Sequence, residues 1–591
     1  MNKEKKEKIS GNVFDVRVLR RIFRFVKPYR IYFYGVVLLT IMMAIVAPLR
    51  SYLVQHTIDI PIQQNDRVGL YKMLLILLGL TIAGGIFHFA HGYYSGWIAQ
   101  HVIRDIRLQL YNHLLKFRIQ FFDHMPIGRL VTRNVSDIET IAEIFSNGFA
   151  EIAGDLLQLF FILVLMFYTD WKLSLVSLST LPVLVLATYV FKEKLKDAFN
   201  EVRIAVANLN TFVQEHIVGM AIVQIFGSEA RELQKFKEVN QEHLQANLRT
   251  VLYYSVYFPI AEVIAAVGTG LLVWYGAQGV LQGQVTLGTL VAFIMYNSQF
   301  FRPIRQIADR FNTLQLGLVS SDRVLKLLDD HAPIQHNGTY KAPVFKGEIA
   351  FQNVWFAYQK EEWVLKNISF SVEKGKMLGL VGATGSGKSS IINLITRFYE
   401  INRGKILLDG RDIREYDLEW LRTHIGLVLQ DVFLFSDTIR QNITLGNLEI
   451  TDEQIWRAAD IIGAGDFIRQ LPGQLDYNVQ ERGATLSVGQ RQLISFIRAI
   501  VYDPQMIILD EATSSVDSET EQLVQHAIEK LLYGRTSIVI AHRLATIRHA
   551  DQILVLDKGE IKERGTHDEL LARNGYYAQL YHFSKYSHVL P

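Results

Sequence analysis

A glycine-rich stretch in the last third of the chain has the residue types that hold a polyphosphate. It fits the pattern G-x-x-x-x-G-K-[ST] without a mismatch, and its residues are Gly382, Ala383, Thr384, Gly385, Ser386, Gly387, Lys388, Ser389 and Ser390. Glycines let backbone N–H groups fold around phosphate oxygens, while Lys388 can reach the β- and γ-phosphates and Ser389 is placed to hold Mg²⁺. The alternative is a glycine-rich turn that binds nothing. The complete pattern favours a site for ATP and Mg²⁺.

Two further stretches end in residues that could act on a bound phosphate. The apolar run 506–509 reads as a buried strand and leads into Asp510 and Glu511. We expect Asp510 to hold Mg²⁺ and Glu511 to polarise the attacking water. A second apolar run, 537–541, is followed by His542, which would lie at the edge of a parallel sheet where ligands of α/β folds bind. His542 is therefore a candidate γ-phosphate contact, although a lone histidine is more often structural.

Composition indicates two kinds of domain around these residues. A chain of 591 residues is too long for one hydrophobic core, and half of the residues are apolar while 20% are charged and unevenly distributed. We expect a membrane part followed by a soluble part in which strands and helices alternate. The net charge of +3 gives no support for nucleic-acid binding, and the absence of cysteine excludes disulfides and thiolate metal sites.

Six apolar stretches in the first half are long enough to cross a bilayer. Residues 13–26, which precede them, have the pattern of an amphipathic helix at a membrane surface. The predicted spans are 31–55, 69–100, 140–168, 172–191, 252–278 and 286–301, several of which continue as polar helix.

Positive charge predicts how these spans are oriented. Residues 1–30 hold ten lysines and arginines, whereas the short connections 60–66, 168–171 and 281–285 hold none. The N-terminus is therefore expected in the cytoplasm, and six spans return the nucleotide site to that side. The longer inward loops, 120–137 and 214–229, could carry short helices that dock on the soluble domain, or they could be simple turns.

Some residues within the spans could contact a transported compound. Glu262 lies inside the fifth predicted span near Tyr257, and the sixth carries Phe293 and Tyr296. An intramembrane carboxylate suggests function because its burial is costly, and with aromatic rings it could attract lipophilic cations. Aromatic residues in a span are, however, more often part of the packing or of an interfacial belt.

A short motif between the glycine-rich stretch and the apolar run 506–509 makes a family resemblance specific. Its residues, Leu486, Ser487, Val488, Gly489 and Gln490, look like the signature motif of ATP-binding cassette (ABC) proteins. The other motifs of the family are found elsewhere in the same half of the chain. Tyr358 resembles the aromatic residue that stacks on adenine, Gln430 the Q-loop glutamine that helps to hold Mg²⁺, and His542 the switch histidine. The D-loop of the family is matched by a stretch that resembles it, Ser514, Ser515, Val516 and Asp517.

The chain as a whole resembles an ABC exporter half-transporter. The resemblance implies an α-helical six-span domain of the exporter type, with long cytoplasmic helix extensions, followed by an α/β P-loop ATPase domain. The domains expected are an N-terminal segment (1–30), a transmembrane domain (31–328), a linker (329–347) and a nucleotide-binding domain (348–591). It also implies a head-to-tail dimer of ATPase domains, in which the signature of one subunit completes the ATP site of the other.

The resemblance predicts export of small amphipathic compounds across a bacterial plasma membrane, in contact with its lipids. Lipid flipping, peptide export and siderophore uptake are known for the same architecture, and fold does not decide between them. A non-transport ATPase with a membrane anchor is a more distant alternative. In each of the transport alternatives, a second half-transporter is the expected partner.

Val488 is a departure from the family pattern, which has glycine at this place. A β-branched side chain should hinder the close approach of backbone to phosphate that glycine allows. In a heterodimer, Glu511 could meet an intact signature on the partner while Val488 serves a second, weakly hydrolysing site. We favour that hypothesis over a homodimer that tolerates valine.

Overall fold

The structure is a computed structural model that describes residues 16–144, 149–330, 337–359, 362–510, 518–540 and 546–587. It contains two compact units. The first comprises Met1–Leu115 with Ile127–His331, and the second comprises Lys116–Pro126 with Ala332–Pro591. The second unit therefore includes a short piece of chain taken from between the helices of the first.

Long helices dominate the first part of the chain because apolar residues run on with few helix breakers. In chain order the helices are α1 (Val16–Val26), α2 (Arg30–Thr57), α3 (Arg67–Leu114), α4 (Ile119–His124), α5 (Ile127–Thr132), α6 (Ile138–Glu143), α7 (Phe149–Thr169), α8 (Trp171–Leu178), α9 (Leu181–Val218), α10 (Met220–Ile225), α11 (Glu229–Leu281) and α12 (Leu287–Asp329). At 53 residues, α11 is about 80 Å long. Since a bilayer core is about 30 Å thick, its polar part continues well beyond the membrane.

Within the described residues, five helical segments are long and apolar enough to cross a membrane. They are Arg17–Ile62, Arg67–Leu114, Ala150–Thr169, Trp171–Val218 and Glu229–Leu281, and they correspond to the first five predicted spans. The sixth predicted span begins α12, which is not among the five. Asn297, Gln299 and Arg302 make this helix more polar than the others. The sixth span therefore stays a prediction.

Both inward loops contain a short helix, as the sequence suggested. Helix α4 belongs to the same compact unit as the ATPase domain, and its Asp123 accepts a hydrogen bond from the Tyr399 hydroxyl. This contact is what docking of the first loop would give, and the role of the loop in coupling stays a prediction. Helix α10 of the second loop leaves Ile222 and Ile225 exposed, and its docking remains a prediction.

The second unit is the expected α/β domain, built on two sheets. A six-stranded sheet has the order β10-β9-β3-β8-β7-β6, and a four-stranded antiparallel sheet has the order β2-β1-β4-β5. The strands are β1 (Ile349–Phe356), β2 (Leu365–Val372), β3 (Met377–Gly382), β4 (Arg403–Leu408), β5 (Arg411–Asp412), β6 (Ile425–Val428), β7 (Met506–Asp510), β8 (Thr536–Ile540), β9 (Gln552–Asp557) and β10 (Glu560–Gly565).

Helices cover the six-stranded sheet, whose central strands are almost wholly buried. They are α13 (Lys388–Ile395), α14 (Leu418–His424), α15 (Ile439–Thr444), α16 (Asp452–Ile461), α17 (Gly465–Gln470), α18 (Val488–Val501), α19 (Ser518–Leu532), α20 (His567–Ala572) and α21 (Tyr576–Ser587). Strands β3, β8 and β7 run parallel, with Leu380 and Asp510 both opposite Ile540. Their carboxyl ends therefore meet at one edge, where the chemically active residues were predicted.

Candidate active site

The phosphate-binding stretch forms the connection between β3 and α13, and its glycines are required by its geometry. Gly385 and Gly387 have φ angles of +80° and +105°, which side chains rarely adopt. A Cβ atom on Gly387 would lie 2.6 Å from a methyl carbon of Leu365, and one on Gly382 would lie 2.1 Å from the carbonyl oxygen of Leu556. The loop is therefore a fixed cradle that places backbone N–H groups and the start of α13 around an anion.

Lys388 lies at the start of α13 with its ammonium group over this cradle. The residue is 8% exposed, and Nζ donates hydrogen bonds to the carbonyl oxygens of Gly382 and Ala383 at 2.7 and 2.9 Å. Burial lowers the pKa of Lys388, and the negative charge of Asp510 opposes that shift. The lysine is thus held inside the loop, where it would exchange backbone carbonyl partners for phosphate oxygens.

The aromatic residue predicted to stack on adenine lies beside the first turn of α13. The Tyr358 hydroxyl is 3.0 Å from Ser390 Oγ and accepts a hydrogen bond from Asn393 Nδ2 at 3.1 Å. Its half-buried ring packs edge-on against Phe356 and Tyr399, with centroids 4.7 and 4.8 Å away. The ring is consequently fixed next to the first turn of α13, and its contact with an adenine base stays a prediction.

Residues suited to Mg²⁺ are positioned on three neighbouring elements. Ser389 is exposed at the start of α13, Asp510 ends β7, and exposed Gln430 follows β6, the strand paired with β7. Hydroxyl, carboxylate and amide oxygens together with nucleotide phosphates are the ligands Mg²⁺ prefers. In the described ranges there is no cluster of three or more His, Cys, Asp or Glu that could hold a metal. A magnesium site completed by phosphate oxygens needs no such cluster.

Several predicted site residues lie outside the described part of the chain. They are Glu511, Ser514, Ser515, Val516, Asp517 and His542. Their roles in hydrolysis remain predictions, although β7 ends directly before Glu511 and β8 ends two residues before His542.

The signature stretch forms the N-terminus of α18. Ser487 Oγ accepts a hydrogen bond from the Gln490 backbone N–H at 3.2 Å, and the Gln490 side-chain oxygen accepts one from the Ser487 N–H at 3.0 Å. This reciprocal capping box fixes the start of the helix, while Leu486 and Gly489 are buried. Val488 is the first helical residue and is 38% exposed. The capped helix N-terminus therefore carries the exposed isopropyl group of Val488 at its first position.

The four residues predicted to line a substrate cavity do not form a single cluster. Phe293 and Tyr296 belong to one buried core cluster, with ring centroids 6.0 Å apart. Tyr257 belongs to another, where its ring stacks on Phe191 at 4.0 Å. Glu262 is exposed on α11.

Sequence reasoning missed Tyr399, which connects the base-binding region to α4. Its ring contacts Tyr358, and its hydroxyl donates to the Asp123 carboxylate. Burial and the bond to Asp123 raise the pKa of Tyr399, so the hydroxyl stays protonated and able to donate. Tyrosine and aspartate here are 276 residues apart, and no local pattern would have paired them.

Comparison with known proteins covers both halves of the chain. Residues 33–304 match the family described as ABC transporter transmembrane region, and residues 365–514 match the family described as ABC transporter. The first match includes the whole of the sixth predicted span, 286–301.

Similar curated proteins match this chain over most of their length. An uncharacterized ABC transporter ATP-binding protein of Bacillus subtilis, YknV, is 36% identical over 97% of this chain and 96% of its own length. A probable multidrug resistance ABC transporter ATP-binding/permease protein of the same organism, YheH, is 38% identical over 88% of this chain and 78% of its own. An ATP-dependent lipid A-core flippase of Syntrophus aciditrophicus is 34% identical over 95% of this chain and 94% of its own length.

Proposed function

This chain belongs to the ABC transporter family, and from that premise we propose that it exports amphipathic or lipophilic compounds as one half of a heterodimer. It is a membrane-spanning exporter whose cytoplasmic ATPase domain couples ATP hydrolysis to transport. Names among its relatives support two substrate classes, drugs for YheH and lipid A-core for the flippase. We favour drug-like compounds and keep lipid flipping as the alternative.

The ATP site that we propose combines residues of both subunits. Tyr358 contacts the base, Lys388 and the loop N–H groups hold the phosphates, and the partner's signature closes over the γ-phosphate. Mg²⁺, held by Ser389, Asp510 and Gln430, would offset phosphate charge. Glu511 orients the attacking water and accepts its proton, and His542 contacts the γ-phosphate.

Val488 is the observation that carries the heterodimer proposal. The first-turn N–H groups of α18 have no helical carbonyl partners and are the groups that would approach phosphate. The exposed isopropyl group of Val488 stands on that same end of the helix, which the capping box holds in place. A glycine there would leave the N–H groups open. We therefore assign Val488 to a weakly hydrolysing site and Glu511 to the competent site completed by the partner.

Replacing Val488 with glycine tests this assignment. In the chain purified alone, where both sites of any dimer use the Val488 signature, V488G is expected to raise ATP turnover at least about tenfold, since removal of a phosphate-facing obstacle restores transition-state contacts. Turnover is measured in lipid nanodiscs. Val344→Gly, at an exposed position in the same compact unit, serves as the matched control. A wild-type chain that already turns over rapidly, with no gain in V488G, would refute the assignment.

The Tyr399 hydroxyl gives a second prediction, on coupling between ATPase and transport helices. Tyr399→Phe keeps the ring that supports Tyr358 but removes the bond to Asp123. ATP affinity should stay within about twofold, while stimulation of ATPase activity by a transported compound should fall at least about fivefold, because bonds to charged acceptors are strong. Tyr533→Phe, an exposed tyrosine in the same domain, is the control. Equal stimulation in both variants would show that this bond does not carry coupling.

A further inference from the structure

A charged cluster lies in the helical unit, between α7 and the part of α12 that follows the sixth predicted span. Arg310 on α12 donates a hydrogen bond to the Asp155 carboxylate, and its other terminal nitrogen is 3.2 Å from Glu151 Oε2. Both acids are on α7. The Arg310 and Asp155 side chains are 21% and 14% exposed, whereas Glu151 is 37% exposed. Of the two acids, Glu151 is thus the one that a ligand can reach.

The cluster is in the cytoplasmic half of the predicted membrane region. The outer end of α7 is Thr169, and Asp155 and Glu151 precede it by 14 and 18 residues. At the rise of a helix these separations correspond to about 21 and 27 Å, in a hydrocarbon core about 30 Å thick. A compound entering from the inner leaflet would therefore meet Glu151 with its polar head while its apolar body is still among the helices.

A buried histidine on a third span adds an independent sign that the cluster receives a ligand. His91 on α3 is 8% exposed, and its Nε2 atom is buried with no hydrogen-bond partner among the described residues. Glu151 acts on the ring electrostatically. Leaving a buried polar group without a partner is unfavourable, so a ligand that donates a hydrogen bond to Nε2 would be favoured at this position.

The charges favour a positively charged ligand at Glu151. Arg310 is shared between two carboxylates, and Arg302 acts electrostatically on Asp155. Arg310 therefore lies closer to the Asp155 carboxylate than to the Glu151 carboxylate. The Glu151 side chain is also the more exposed of the two acids. An ammonium head could donate to both the Glu151 carboxylate and His91 Nε2, and an uncharged head would lack the attraction to Glu151.

We propose that Glu151 and His91 form the headgroup subsite for substrates carrying a protonated amine on an apolar body, with Arg310 positioning Glu151. The inference rests on the proposed export function and moves the predicted carboxylate from exposed Glu262 to the charged cluster. The same ammonium chemistry occurs in drug-like lipophilic amines and in ethanolamine lipids.

Equilibrium binding separates these sources and does not depend on transport. The full-length protein in nanodiscs, with its partner where one is required, is titrated with a fluorescent lipophilic amine and with a neutral analogue of equal size. Glu151→Gln should weaken amine binding at least about tenfold and change neutral binding less than about twofold, since only the charge is removed. His91→Phe, which keeps an aromatic ring, should show the same selectivity if Glu151→Gln fails to fold. Glu143→Gln, an exposed acid on α6, is the matched control.

Each possible result either supports the headgroup subsite at Glu151 and His91 or overturns it. A loss of amine binding alone, measured in phosphatidylcholine nanodiscs, supports drug-like amines as the ligands of the subsite. If the variant instead changes only the retention of phosphatidylethanolamine, an ethanolamine lipid is the ligand. Equal loss for amine and neutral compounds, no loss, or selective loss in Glu262→Gln instead, would overturn the inference. Selective binding without ATP-dependent transport in proteoliposomes would uphold the subsite and refute the export function.

Discussion

Lys388→Ala is expected to reduce ATP affinity by about two orders of magnitude or more. Lys388 is 8% exposed, and its ammonium group donates to the carbonyl oxygens of Gly382 and Ala383, so it is already positioned for phosphate. Charge-assisted bonds in such a sheltered site are much stronger than in water. Removing it takes away the loop's positive side chain and leaves those carbonyl oxygens facing the phosphates.

Binding of a fluorescent ATP analogue measures the effect. Lys374→Ala removes a lysine from an exposed turn of the same domain and should leave affinity unchanged. Thermal unfolding of the ATPase domain without nucleotide distinguishes a lost ligand contact from a damaged fold. If Lys388→Ala binds ATP like the wild type while remaining folded, the phosphate loop is not the nucleotide site.

Glu511→Gln is expected to keep ATP binding and to lower hydrolysis by about 10²-fold or more. Glutamine has nearly the same shape but cannot accept a proton from the attacking water, and general-base groups contribute about 10²–10⁴-fold to rates. The assignment comes from the position of Glu511 directly after Asp510, at the end of β7.

Phosphate release in the assembled transporter, together with ATP binding, measures this separation. Glu373→Gln, at an exposed position of the same domain, should retain both activities. Unchanged turnover in Glu511→Gln would mean that the main hydrolytic site does not use this glutamate, and the proposed division of roles between the two sites would fail with it.

Much of the nucleotide site could be predicted from sequence because it depends on local pattern. The glycines of the phosphate loop lie close together along the chain, as do the residues of the apolar run before Asp510, and each pattern has one common structural solution. The parallel order of β3, β8 and β7 then brings the loop and Asp510 to one edge.

The membrane domain was less predictable because hydropathy gives the length of a span but not its rotation. Glu262 is the carboxylate that the sequence predicts to contact a transported compound, because it interrupts an apolar stretch. The structure leaves it exposed on α11. Glu151 and Asp155 lie near the start of α7 and meet Arg310 through packing over more than 150 residues of separation. The bond between Tyr399 and Asp123 was missed for the same reason.

The most direct test of the central claim is the oligomeric mass and ATPase rate of the wild-type chain expressed alone and placed in lipid nanodiscs, with Glu511→Gln as the blank. We predict a monomer, or a dimer with turnover close to the blank, and activity that appears when a second half-transporter with a glycine-containing signature is added. A stable dimer of this chain alone that hydrolyses ATP rapidly would contradict the heterodimer account and show that Val488 is tolerated.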